Sequence, residues 1–234
     1  KKLKPAIEAV ISRGSYVVLL ERELEDADVS ATVVFNHELA GQLLADFLGS
    51  QLQSGGTVLV LTGGGTPGEK KRLQSFKKHL SEKLPSIKIV GEETIGTGTK
   101  AESAVARLLS GKKPDVVAAM NPDAGAAAAA AIGTAGKPFV VTYGGRQSLV
   151  DALKTSDSPI RLVVEPLPHW LGDRSGKLAW RIVSNKPTPA RVDLPLQPVT
   201  RDNLDTYLGW DGALPTNMVT PWPSDLSLEA KREE

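Results

Sequence analysis

Short, mostly apolar runs alternate with stretches of helical periodicity along almost the whole chain. Tyr16–Leu20, Thr57–Thr62, Ile87–Val90, Asp115–Met120, Phe139–Thr142, Arg161–Glu165 and Val192–Leu196 read as strands. Helices are expected over 4–13, 37–52, 69–83, 99–110, Asp123–Ala135, Gln147–Lys154 and 170–184. Glycine or proline punctuates the ends, at Gly14, Gly55-Gly56, Pro85, Gly111 and Gly136. A strand with no polar alternation must be covered on both faces, which favours parallel sheets. Parallel strands need crossovers, and the intervening helices supply them. The pattern therefore predicts a doubly wound α/β fold. The Ala-rich stretch Asp123–Ala135 is expected to lie close against a sheet, since small side chains permit short helix–strand distances.

Composition excludes several function classes. The 28 basic and 27 acidic residues leave a net charge of +1, so no field draws the chain toward nucleic acid or an anionic membrane. The absence of cysteine removes disulfides, thiolate metal sites and cysteine nucleophiles. His37, His79 and His169 have no metal-ligand spacing, so no metal is expected. No apolar run approaches the roughly 20 residues of a membrane helix. The opening residues read as a helix and then a strand rather than as a leader. There is no G-x-S-x-G elbow and no supported Ser/His/Asp pattern, so hydrolase chemistry is not expected.

One motif points elsewhere. Gly63, Gly65 and Gly68 satisfy G-x-G-x-x-G between a strand and a helix, as in a dinucleotide site. The following helix opens with Glu-Lys-Lys-Arg and lacks a small apolar face. No acid ends the next strand at the usual spacing, and Glu69 stands where a P-loop needs lysine. A nucleotide-binding enzyme is a weaker alternative on these grounds.

Six segments in order resemble the type I periplasmic binding proteins of the ribose and galactose kind. They are PAIEAVISRGSYVVLLER, VVFNHELAGQLLADFL, TVLVLTGGGTPGEKKRLQSFKKHL, AAMNPDAGAAAAAAIGTAGK, VEPLPHWLGDRSGKLAWRIV and QPVTRDNLDTY. The resemblance covers about 1–208 and implies two α/β lobes with parallel sheets. Lobe one would comprise 1–35 and 166–196, and lobe two 36–165. The closing crossover and tail would comprise 197–234. In that family two βα units and a strand precede the first segment. Lobe one is therefore expected to be incomplete at its N-terminus, so that it self-associates or pairs with a complementing chain.

The resemblance also implies ligand-binding residues. Glu21 and Arg22 end the first strand, where an acid accepts and an arginine donates hydrogen bonds to sugar hydroxyls. A solvated turn is the plainer reading of the charge run ERELEDAD. Arg72 matches a cleft arginine; the plainer alternative is a surface helix residue beside Lys70 and Lys71. Asn121 matches a ligand asparagine, and before Pro122 it is also a natural helix N-cap. Tyr143 matches an aromatic position. Three positions depart from the family: Gly144 replaces an aspartate, no glutamine stands near Pro166, and Glu21 is longer than the usual aspartate. Glu165, His169 and Trp170 border the crossover that the resemblance implies near Glu165–Pro168 and are candidate substitutes.

The expected function is reversible binding of a small carbohydrate, without catalysis, metal or organic cofactor. The implied partner is a membrane ABC transporter or a signalling receptor, and the implied location is periplasmic or extracellular. The ligand domain of a LacI-type transcription regulator is the main alternative. The tail, with Trp210 and Trp222, is expected to be a surface segment frayed at its end.

Overall fold

The computed structural model describes residues 3–24, 26–207 and 209, so the expectations for the tail, Trp210 and Trp222 lie outside the described residues. The elements run α1 (Lys4–Ile11), β1 (Val18–Leu20), β2 (Ala31–Phe35), α2 (His37–Gln51), β3 (Gly56–Thr62) and α3 (Pro67–Lys83). They continue β4 (Ile87–Thr94), α4 (Thr99–Lys112), β5 (Val116–Ala119), α5 (Pro122–Ile132), β6 (Phe139–Tyr143) and α6 (Gln147–Leu153). The last are β7 (Ile160–Pro166), α7 (Pro168–Val183), β8 (Arg191–Leu194), β9 (Leu196–Val199) and a 3-10 turn at Arg201–Thr206. The chain divides into two compact units.

One unit contains His37–Pro166 and Leu196–Gly209. Its six-stranded sheet has the order β4-β3-β5-β6-β7-β9. The five strands from β3 to β7 run parallel, and β9 is antiparallel to β7. The central strands β5 and β6 are buried at all but one position, as unbroken apolar runs require. β4 lies at the edge and is largely solvent-facing, which suits its mixed sequence IKIVGEET. One face carries Leu59, Leu61, Val117 and Val163 against Val105, Ala124, Ala128 and Leu149. α2 approaches the sheet at β6, β7 and β9, and packs closely on α3.

Small residues set the spacing of these layers. Ala124, Gly125, Ala127 and Ala128 of α5 are buried, and a Cβ on Gly125 would overlap Thr142 of β6. The Ala-rich stretch is thus a close-packing face, ending at Gly133 rather than Gly136. Similarly, a Cβ on Gly41 of α2 would strike the carbonyl oxygen of Arg72 in α3.

The other unit contains the described residues up to Asn36 and Leu167–Pro195. Its parallel sheet has the order β1-β2-β8. β2 is buried at every position and forms the middle strand. No strand is expected there from the sequence, where the boundary between lobes falls at 35/36, although ATVVF is apolar throughout. α7 lies against β1 and β2. α1 buries none of its residues, and Leu3, Val10, Tyr16 and Leu20 are exposed.

Candidate functional site

The order of the six-stranded sheet reverses at β3. The chain leaves β3 for β4 on one side and then returns to β5 on the other. Loops leaving the carboxyl ends of β3 and β5 therefore diverge and leave a crevice, the usual ligand position in open α/β sheets. Gly63–Gly65 follow β3 and Asn121 follows β5. Tyr143 ends β6, and Glu165 stands near the end of β7.

Arg72 lies at the centre of this group. It is 5% exposed, so the surface-helix reading fails. Its Nε donates to the Met120 carbonyl at 3.0 Å, and its Nη1 lies 2.8 Å from His37 Nδ1. A guanidinium can only donate, so Nδ1 is the acceptor and the proton of neutral His37 sits on Nε2. The guanidinium carbon lies 3.7 Å from the centre of the Tyr143 ring, a stacking worth about 2 kcal/mol when desolvated. Tyr143 also meets the His37 ring edge-on, with centroids 6.0 Å apart.

Asn121 caps α5: its Oδ1 accepts from Ala124 N at 2.9 Å. Pro122 at the first helical position fits this role. Its Nδ2 donates to Glu69 Oε1 at 2.7 Å. The capping reading is thus correct, and the amide's orientation is fixed as a result.

Glu69 was considered in the sequence only as the wrong residue for a P-loop. In the structure it is 3% exposed and organises the loop. Oε1 accepts from Gly63 N at 2.7 Å, and Oε2 accepts from Gly64 N at 3.3 Å and Gly65 N at 2.9 Å. Burial opposes its ionisation, but the bonds from Asn121 and from the Gly63, Gly65 and Gly64 amides prevail and hold its pKa below the usual 4.5. A sequence signal existed. Thr66-Pro67-Gly68-Glu69 has the capping-box form, and Thr66 Oγ1 does accept from Glu69 N. The glutamate side chain, however, serves the glycine loop.

The three glycines of the motif have local reasons. A Cβ on Gly63 would overlap the Asn121 amide, one on Gly68 would overlap the His37 ring, and Gly65 has φ 68°. The loop amides that would hold a pyrophosphate are already bound to Glu69, which argues against the nucleotide reading.

The strand pair β6–β7 supplies a second buried acid. Glu165 is fully buried and accepts from Gly145 N with both oxygens, at 3.1 and 3.2 Å. A Cβ on Gly144 would overlap its carboxylate. The acid that Gly144 lacks is thus present in nearly the same space, borne by the neighbouring strand.

This unit brings together Arg72, Asn121 and Tyr143, and adds His37, Glu69 and Glu165. Glu21 and Arg22 belong to the other unit. Glu21 adopts φ 62°, and its Oε2 accepts from Phe35 N at 3.2 Å. Arg22 is exposed. His169 is half-buried and Trp170 is 1% exposed, their rings meeting edge-on at 6.4 Å. The indole Nε1 of Trp170 is buried with no hydrogen-bond partner among the described residues. Among the described residues no group of three or more His, Cys, Asp or Glu could hold a metal ion. None of the described helices is long and apolar enough to cross a membrane.

Known proteins resemble this chain in sequence and fold. Residues 1–187 fit the family model described as a periplasmic binding protein domain. The ribose import binding protein RbsB of Bacillus subtilis is 25% identical over 199 residues, covering 83% of this chain. The chain spans 64% of that protein's length. Two solved structures share the fold. A sugar-binding protein of a sugar ABC transporter from Bacillus halodurans has a TM-score of 0.80 at 18% identity, over 88% of this chain and 76% of its own. The arabinose-binding protein AraP from Geobacillus stearothermophilus has a TM-score of 0.78 at 21% identity, over 87% and 74%. The chain belongs to the periplasmic binding protein domain family.

Proposed function

We propose that this chain binds a small sugar or polyol reversibly and without catalysis, for delivery to an ABC transporter or a signalling partner outside the cytoplasm. One observation carries the reading: the Arg72 guanidinium is held by Met120 O, His37 Nδ1 and the Tyr143 ring at a topological switch point. A polyol needs donors and acceptors fixed in advance, beside an apolar surface for its C–H faces. Arg72 and Asn121 are the donors in this reading, Glu165 the acceptor, and Tyr143 the ring. The names of the relatives, which include ribose and arabinose binders, support the same ligand class.

In this reading the two units are the two lobes, divided near residues 35 and 166. Glu21 and Arg22 are the contribution of the lobe that carries β1. Among the described residues β1 is an edge strand and α1 buries no residue, which supports pairing with a second copy or a complementing chain.

A thermal-shift screen over pentoses, hexoses and polyols, with NAD and ATP as controls, tests the reading. A sugar at a hundred times its Kd is expected to stabilise the protein by about 2.7 kcal/mol. Arg72→Ala is expected to weaken that sugar roughly tenfold to a hundredfold by calorimetry. Stabilisation by NAD or ATP, with none from any sugar, would overturn the assignment.

A further inference from the structure

The loop after β3 is built as an anion nest and already contains its anion. Three consecutive backbone N–H groups, from Gly63, Gly64 and Gly65, converge on the carboxylate of Glu69. Converging amides of this kind are how loops hold phosphate or sulfate. Here the charge comes from the chain itself. The Asn121 amide is a fourth donor, so each carboxylate oxygen receives two bonds. At 3% exposure the group is sheltered from competing water.

We propose that Glu69 is a resident anion with two effects: it closes the Gly63–Gly65 nest to phosphate-bearing ligands, and it positions the Asn121 amide. The second effect rests on the sugar-binding reading, whereas the first stands without it. A phosphate seeking these amides would have to occupy the place of a buried carboxylate. Two like charges a few ångströms apart in a poorly screened site repel strongly. The ligand is therefore uncharged at the end that meets this loop. Asn121, for its part, spends Oδ1 on Ala124 N and one N–H on Glu69. Its remaining N–H then has a single direction. Glu69 is thus a positioning residue that decides which ligands reach the loop and how Asn121 meets them.

Nitrogen-15 spectra of the full chain test this with inorganic phosphate as the probe. In the wild type, phosphate is expected to leave the amides of Gly63, Gly64 and Gly65 unmoved. In Glu69→Ala and Glu69→Gln the like charge is gone, so those amides shift on titration. The affinity gain over the wild type is expected to be about tenfold or more. The Asn121 side-chain NH2 pair should move strongly in Glu69→Ala and less in Glu69→Gln, whose carbonyl oxygen still accepts. A phosphate response at these amides in the wild type refutes the proposal. So does a folded variant whose glycine amides ignore phosphate or whose Asn121 pair stays in place. If Glu69→Ala does not fold, Glu69→Gln and the wild type decide. No arm uses a sugar, so a failed sugar screen leaves this result intact.

Discussion

Glu69 and Glu165 are buried carboxylates held by glycine amides, and Glu165 also accounts for the glycine at position 144. For Glu69 the sign of the pH effect follows from its lowered pKa. A carboxyl that ionises more readily when folded than at its ordinary 4.5 stabilises the fold above that pH. That stabilisation is lost as pH falls through the lower folded value. The stability advantage of the wild type over Glu69→Gln is therefore expected to hold near neutral pH and to shrink below 4.5, as read by urea denaturation. A constant difference down to about pH 3 would contradict the assignment. For Glu165 the test is steric. A methyl group at Gly144 would overlap its carboxylate. Gly144→Ala is expected to cost about 1–3 kcal/mol, measured by the same denaturation. Arg72, Asn121 and Tyr143 are candidates through the family resemblance, and the structure places all three in one unit. Glu69 and His37 were not legible in the sequence, since a helical Glu beside lysines and a His at a helix start look like surface residues. Their burial comes from partners 52 and 35 positions away, Asn121 and Arg72.

At the scale of elements, the spacing of α2 and α3 controls where Arg72 lies. Gly41 permits close approach, and its missing Cβ faces the Arg72 carbonyl oxygen. Alanine in a helix interior normally gains about 1 kcal/mol over glycine. Here Gly41→Ala is instead expected to destabilise by about 1–3 kcal/mol, because backbone must move rather than a side chain. The same shift should weaken any sugar bound through Arg72, which calorimetry would detect; a net gain in stability with unchanged affinity would argue against this packing. Seven strands read from apolar runs appear close to their expected places. β2 is absent from the expected strands because it ends at the expected lobe boundary, residues 35/36. β9 was also missed, since LQPV is short, contains a proline and pairs antiparallel at the sheet's edge. Pairing partners, not propensity, make such a segment a strand.

At the scale of the whole molecule, β1 is an edge strand of the smaller sheet among the described residues. β1 is half-buried at best, and Leu20 on it is 45% exposed. Edges of this kind recruit further strands. Mass measured by light scattering on an eluting column is expected to rise with concentration, and Leu20→Lys is expected to lower it again. A monomeric mass at every concentration would remove the self-association reading.

The sequence by itself determined the α/β class, the parallel sheets, the family and most element positions. The class, the sheets and the element positions follow from local periodicity, which a linear chain displays directly, whereas the family follows from the resemblance of six ordered segments. Only the tertiary structure decided that the glycine loop holds Glu69, that Arg72 is buried on Tyr143, and that Glu165 occupies the space beside Gly144. Each depends on residues distant in the chain meeting within hydrogen-bond reach, and no local pattern encodes such a meeting.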